Sequence, residues 1–173
     1  MKFRNIQGEV VEKFLAEAKE ASRVLSTIGG ADKNRILKEM AESLRSNTLD
    51  LLEANALDMA DGKKNELSSA LMDRLYLDEK RIDAMAVAIE EIAALKEPVG
   101  RILEGWVTED GLKIEKVSIP IGVIGIIYES RPNVTSDTAA LCFKSSNVCV
   151  LKGGKEAENS NKAIAKVLQA VLE

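Results

Sequence analysis

Two short polar clusters hold the residue types in this chain that can do chemistry. One is Glu129-Ser130-Arg131-Pro132-Asn133, and the other is Lys152-Gly153-Gly154-Lys155. A guanidinium such as Arg131 pairs with a carboxylate or phosphate, or closes a structural salt bridge. The Asn133 amide can donate to an oxyanion developing on a reacting carbonyl. It can equally cap a helix that has Pro132 in its first turn. In the second cluster, glycines bare the backbone ahead of a helix N-terminus, and two ammonium groups suit an anionic ligand. Read structurally, the same residues are a solvent-exposed turn with ordinary lysines. They are not a P-loop, because Cys149 stands where the first glycine belongs and Glu156 where Ser or Thr belongs. No G-x-G-x-x-G is present either; Gly122 and Gly125 lie before or inside a strand.

Cys142 and Cys149 are the only cysteines, and the chain has no histidine. Two thiols so placed make no metal site, and a His-based relay or His-ligated metal is excluded. Cys142 is expected in a helix and Cys149 in a strand, both as small buried hydrophobes. A catalytic thiol needs an exposed place near a strand or helix end with a positive neighbour.

The clusters need elements to bring them together. Val123 to Tyr128 and Val148 to Leu151 are apolar, β-branched runs, with a short helical pattern between them and another after Lys155. Strand, crossover helix and parallel strand make a βαβ unit. Ligands of such sheets lie beyond the carboxyl ends of the strands, where both clusters fall. Strands apolar along their length are covered on both faces and flanked by neighbours. With two such strands, at least one sheet edge is expected to be open, which favours self-association.

The first half reads as helices. Val10, Val11, Phe14, Leu15, Ala18, Ser22 and Leu25 mark one face at period 3.6. Gly29-Gly30 is expected to end that helix and Asp32 to cap the next. The second stripe runs through Ile36, Leu37, Met40, Ala41 and Leu44 to Leu51, Leu52, Asn55 and Met59, with a break at 46–48 and a stop at Asp61-Gly62. A short helix over 66–73 and a longer one capped by Asp78, with Ile82, Met85, Ala86, Ile89, Ile92 and Ala93 inward, end before Pro98 and Gly100. These stripes are expected to give the front half a core of its own. Trp106 to Val117 reads as a β-hairpin around Asp110-Gly111. The last helix, from about Ser160, buries Ile164, Val167, Leu168, Val171 and Leu172.

Composition bounds the partners. The chain has 173 residues, 46% hydrophobic and 30% charged, with a net charge of -4 and no basic block. That is ordinary globular material, one domain or an unequal pair, and it argues against nucleic acid or anionic membrane as the main partner. No apolar run approaches the ~20 residues of a membrane span. The start lacks a signal-peptide core, so a cytoplasmic site is expected.

The strings IPIGVIGIIYESRPNVT and LKGGKEAENSN resemble gamma-glutamyl phosphate reductase of proline biosynthesis, in the aldehyde dehydrogenase superfamily. ADKNRILKEMAESL, MDRLYLDEKRI and PVGRILEGWVTEDGLKIEKV fit as well, so the resemblance runs nearly end to end. It implies an α/β, aldehyde-dehydrogenase-like fold, truncated: a helical N-terminal half leading into the first βαβ of a Rossmann-like cofactor domain. The implied division is a helical front part of that domain over 1–104, a hairpin over 105–119 that serves oligomerisation, and the βαβ with its following helix over 120–173. The implied reaction is NADPH-dependent reduction of L-glutamyl 5-phosphate to L-glutamate 5-semialdehyde and phosphate, through a cysteine thiolate expected beyond residue 173. The isolated chain is expected to be inactive. Cofactor contacts fall on Ile127, Tyr128, Lys152, Gly153, Gly154 and Lys155, with Lys152 at the adenosine ribose and Lys155 suited to the 2′-phosphate. Arg131 is the implied substrate-binding residue and Asn133 the oxyanion donor, although the general family places its asparagine after Pro-Trp and not after Arg131-Pro132. The family has Gly-Asn where this chain has Ser146-Asn147, and serine suits a left-handed helix end less well. A homo-oligomer and an association with glutamate 5-kinase are also implied. The alternatives are another acylating aldehyde dehydrogenase, or a non-catalytic module for nucleotide binding or assembly.

Overall fold

Among the described residues, seven α-helices and four strands are built in the order the hydrophobic periods predict. The computed structural model describes residues 6–172. Helix α1 spans Ile6–Leu25, α2 Gly30–Ser46, α3 Thr48–Lys64, α4 Ser69–Leu75 and α5 Glu79–Ala94. Strands β1 (Ile102–Val107) and β2 (Lys113–Val117) form an antiparallel hairpin, and β3 (Val123–Ile127), α6 (Pro132–Lys144) and β4 (Val148–Lys152) follow. A 3-10 turn at Lys155–Ala157 leads into α7 (Glu158–Gln169).

Local chemistry sets several boundaries as expected. Asn47 separates α2 from α3, within the expected break. Asp78 caps α5, its Oδ1 accepting from the Arg81 N–H at 2.7 Å. Other boundaries differ. Gly29 is the N-cap of α2 with extended backbone, so it opens a helix where it was expected to end one, and Asp32 lies within the first turn. Gly62 does not stop α3. It is buried inside the helix, where an added Cβ would lie 2.8 Å from Met72 Sδ. Here glycine serves close packing of α4 on α3. Strand β1 opens at Ile102, before Trp106, and the tight turn has Gly111 at φ 88°.

One core runs through both halves of the chain. Leu37, Met40 and Leu44 of α2 and Ile82, Met85 and Ile89 of α5 join Ala140 and Phe143 of α6 and Ile164 and Leu168 of α7. The front half therefore has no core of its own; the stripes of α2, α3 and α5 are completed by the βαβ unit. Helix α1 departs further. It lies on β3 and β4, with Ala18 and Leu25 buried, while Val11, Phe14 and Leu15 are exposed. Val10 lies among residues whose side chains are outside those described. The period of α1 is sound, but the first half of its stripe finds no partner within the described residues.

β3 and β4 pair in parallel, Val123 with Val148 through Ile127 with Lys152, as a two-stranded sheet whose outer edges carry no strand among the described residues. Their side chains are half-buried or exposed, Ile127 at 82%. The expected coverage on both faces is thus missing and the expected open edge is present. Among the described residues, no helix is long and apolar enough to cross a membrane, and no group of three or more metal-ligating side chains comes together.

Candidate functional site

The parallel register brings both polar clusters to one end of the sheet. Ile127 is the last paired residue of β3 and faces Lys152 of β4. The Tyr128 N–H extends the ladder to the Lys152 carbonyl at 3.1 Å. Lys152 and Lys155 are exposed beyond this end. Of the two glycines between them, the first is dictated by space. A Cβ on Gly153 would lie 2.2 Å from Asn161 Nδ2 and 3.2 Å from Tyr128 Cζ; one on Gly154 would meet Glu156 Oε2. Gly154 has φ -63°, which any residue adopts. The turn is therefore pressed onto its own underlay. Thr135 Oγ1 donates to Asn161 Oδ1 at 2.9 Å, so its single hydrogen is used and Tyr128 Oη must donate to Thr135 at 2.6 Å. This chain of hydrogen bonds fixes the Asn161 amide beneath Gly153.

The helix N-terminus after the second cluster is already filled. Asp58, buried on α3, accepts from the Asn159 N–H (3.1 Å), Asn159 Nδ2 (2.8 Å), the Ser160 N–H (2.7 Å) and Ser160 Oγ (2.6 Å). A carboxylate of the chain itself thus satisfies two of the orphan donors of α7. The expectation that the N-terminus of α7 would face an anionic ligand is corrected accordingly, and the exposed side chains of Lys152 and Lys155 stand before it. One turn away, buried Asn55 holds the α4–α5 connection, donating to the Leu75 carbonyl at 2.8 Å and accepting from the Leu77 N–H at 2.9 Å. It also donates to Ser160 Oγ at 3.0 Å. Sequence reasoning placed Asn55 on the inward stripe but passed over Asp58, three residues on along the same face. A carboxylate on an apolar stripe was the available signal.

At the first cluster, Pro132 takes the first helical position of α6 and Arg131 the N-cap. Asn133 is therefore two residues past the cap position. It is exposed, and its Nδ2 donates to Asp137 Oδ2 at 3.1 Å. One of the two amide hydrogens is spent there and the other is unassigned. Arg131, Asn133 and Asp137 line a cleft of about 440 Å³ together with Arg74 of α4 and Arg81 of α5. Arg81 is committed, with Nη2 on Asp73 Oδ1 at 2.8 Å and Nη1 on the Tyr76 carbonyl at 2.9 Å. Arg74 and Arg131 have no ion-pair partner among the described residues. Burial holds the Asp137 carboxyl above its ordinary range, opposed by the weaker effect of the Asn133 amide.

The far end of α6 is tied to the helical half by two buried lysines. Lys33 Nζ contacts Glu97 Oε1 at 2.6 Å and donates to Ser146 Oγ at 2.8 Å and the Lys144 carbonyl at 3.1 Å. Lys144 Nζ donates to the Ala93 carbonyl at 3.0 Å and to Asn34. Ser146 stands at φ 57° in a Schellman ending, with Asn147 N–H on the Cys142 carbonyl and Ser146 N–H on that of Phe143. The serine tolerates this left-handed position while its hydroxyl accepts from an ammonium, a use that glycine lacks. Cys142 is buried and Cys149 half-buried, and neither is in a disulfide. The Cys149 S–H directed at Cys142, and then burial, push the Cys149 thiol far up, while the same contact lowers the buried Cys142 thiol to about 7. Neither cysteine is an exposed thiolate, in line with the expected interior role.

No family model matches the chain. Curated relatives do. It is 84% identical over 163 residues to the gamma-glutamyl phosphate reductase of Sulfurimonas denitrificans, covering 94% of this chain and 40% of that protein. Identity to the reductase of the same name from Sulfurovum sp. is 76% over 162 residues, with the same coverage of 94% and 40%. The crystal structure of gamma-glutamyl phosphate reductase from Thermotoga maritima superposes with a TM-score of 0.89 at 45% identity, over 91% of this chain and 38% of that one. A salicylaldehyde dehydrogenase from Pseudomonas putida, at 19% identity and a TM-score of 0.68 over 89% of this chain and 30% of its own, shares the fold. The chain spans about two-fifths of the length of the curated relatives it matches.

Proposed function

We propose, on the premise that this chain corresponds to the front part of a gamma-glutamyl phosphate reductase, that it supplies one wall of a site in which NADPH reduces L-glutamyl 5-phosphate to L-glutamate 5-semialdehyde. The observation that carries this reading is the parallel β3–β4 register, which delivers a basic cluster and an Arg/Asn cluster to the same sheet end. Ligands of open α/β sheets bind there.

The residues present fit a dinucleotide in part. Lys152 and Lys155 are exposed and free to meet the adenosine ribose and its 2′-phosphate, while Ile127, Tyr128, Gly153 and Gly154 form the surface between. With α7 capped by Asp58, phosphate recognition falls to the two ammonium groups. A bound nicotinamide cofactor supplies the hydride. Arg131 would hold an anionic group of the substrate, and the second amide hydrogen of Asn133 would meet an oxyanion on the reacting carbonyl. Cys142 and Cys149 sit in the packed interior and do not serve as the attacking thiolate. The hairpin, exposed along β1 and β2 with Ile102, Trp106 and Val107 outward, fits an assembly role in a homo-oligomer. Because an acyl phosphate is hydrolysable, delivery from an associated glutamate 5-kinase also fits.

The test is titration of the isotope-labelled chain with NADPH and with NADH, following backbone amide resonances. Saturable shifts at Tyr128 and Lys152 to Lys155, tighter for NADPH, are expected. Lys155→Glu should narrow the preference by about tenfold, the worth of one lost charge-assisted contact. Absence of shifts at this sheet end overturns the cofactor assignment. An unchanged preference in the variant places the 2′-phosphate elsewhere.

A further inference from the structure

We propose that the cleft between α4–α5 and the start of α6 receives the zwitterionic head of an α-amino acid, its carboxylate on Arg74 and Arg131 and its ammonium on Asp137. This rests on the reading above, which leaves open how the glutamyl group is held.

The charges of the cleft carry the inference. It has about 440 Å³, within the roughly 300–1,000 Å³ usual for small-molecule sites. Of its three arginines, Arg81 is spent on Asp73 and on the Tyr76 carbonyl. That bond set pins the α4–α5 turn and cancels the charge of Asp73. Arg74 and Arg131 are left without an acidic partner among the described residues, the first on α4 and the second at the N-cap of α6. Guanidinium groups in such an arrangement fit the two oxygens of a carboxylate.

An anion alone does not account for Asp137. A site built for phosphate would gain nothing from a carboxylate on its wall, because like charges repel. Asp137 has a single recorded donor, the neutral amide of Asn133, and no cation. Burial already works against its charge, as the direction of its pKa shows. A ligand ammonium would supply the missing counter-charge. Paired positive and negative groups on one cleft match the two opposite charges that an α-amino acid carries on one carbon. The side chain of that amino acid would then run past Asn133, the residue proposed to meet the reacting carbonyl.

The probe is L-glutamate, which has this head and the same chain length. Glutarate lacks the ammonium, and 4-aminobutyrate lacks the α-carboxylate. Titrated into the labelled chain, L-glutamate should give saturable shifts around Arg74, Arg131 and Asp137, at lower concentration than either analogue. Arg74→Gln and Arg131→Gln should each weaken it by about tenfold. Asp137→Asn should weaken L-glutamate similarly while leaving glutarate no weaker, since a like charge is removed, and relief of a buried charge keeps this variant folded. Glutarate binding as tightly as L-glutamate would reduce the cleft to an anion site and overturn the proposal, as would shifts lying elsewhere or none. If that occurs while NADPH still shifts Lys152 to Lys155, the amino-acid site fails and the reductase reading stands.

Discussion

Removing the Asp58 carboxylate should cost as much stability as emptying a core position of α3. The side chain is 2% exposed and accepts from two backbone N–H groups and two side chains at the start of α7. Asp58→Ala removes a helix cap, about 0.5–2 kcal/mol. It also strands the Ser160 N–H and hydroxyl in a buried place, which costs about 1–3 kcal/mol for each group that finds no water. The sum, discounted for water entering the vacated space, is about 3–5 kcal/mol. That is a large part of the about 5–15 kcal/mol typical of a folded domain. The assay is urea unfolding followed by far-UV circular dichroism. The midpoint should fall at an unchanged slope, and the exposed control Glu53→Ala should move by no more than about 0.5 kcal/mol. The second readout is local. Amide exchange at Asn159 and Ser160 should accelerate in Asp58→Ala, while exchange in β1 and β2 stays as it was. A loss below about 1 kcal/mol at unchanged slope would refute the reasoning, because α7 would then be held by its apolar face alone.

Lys33→Met should destabilise by about 3 kcal/mol, the low end for breaking a buried pair, because Glu97 is 32% exposed; Lys33→Met/Glu97→Gln should cost less than the two single changes summed, as a double-mutant cycle in urea would measure. Ser146→Ala should cost about 1.5–3 kcal/mol through the lost bond to the Lys33 ammonium. Ser146→Gly should cost about 1 kcal/mol less, since it relieves the left-handed backbone; equal losses would mean that φ 57° carries no strain. For Asp137 the sign runs opposite to the usual carboxylate. Its folded pKa is raised, by burial first, so the native state binds the proton more tightly and stability falls as pH climbs from the unfolded value, about 3.9. Asp137→Asn should therefore be at least as stable as the parent at pH 7 and lose part of that decline, by thermal melts from pH 3 to 7. The exposed apolar residues of β1 and β2 should make the chain self-associate, and Trp106→Lys should shift sedimentation towards the monomer.

The parts of this fold legible in the sequence were those set by neighbours along the chain. The apolar runs at 123–128 and 148–151 gave a parallel pair, Pro132 took the first turn of α6, Asp78 capped α5, and Asp110-Gly111 turned the hairpin. What was missed depends on partners far apart in sequence. Gly62 reads as a helix stop until Met72 is seen against it, and Gly29 reads as an ending until it is found opening α2. Asp58 meets Ser160 and Lys33 meets Ser146, separations of 102 and 113 residues that no local period reveals. The candidate site was half legible for the same reason. Arg131 and Asn133 stand out as a string, but Arg74 joins them only once the fold brings α4 to the same cleft.

The helical half acts as a frame for the two clusters rather than as a neighbouring domain. The C-terminal end of α6 and the start of α7 are each fixed by a polar group reaching across from it. Lys33 on α2 holds the C-terminal end of α6, the α4–α5 turn faces its N-terminal end, and Asp58 on α3 closes the N-terminus of α7. Each such group is paid for in desolvation, so apolar residues of similar size would often serve stability as well or better. What apolar residues cannot do is fix register, because packing tolerates small slides and a multi-donor carboxylate does not. The turn at Lys152 to Lys155 is pinned on one side by the β3–β4 ladder and on the other by Asp58 through Asn159 and Ser160. Changes in α3, far from any proposed ligand, should therefore reach the cofactor lysines by way of α7, without passing through the sheet.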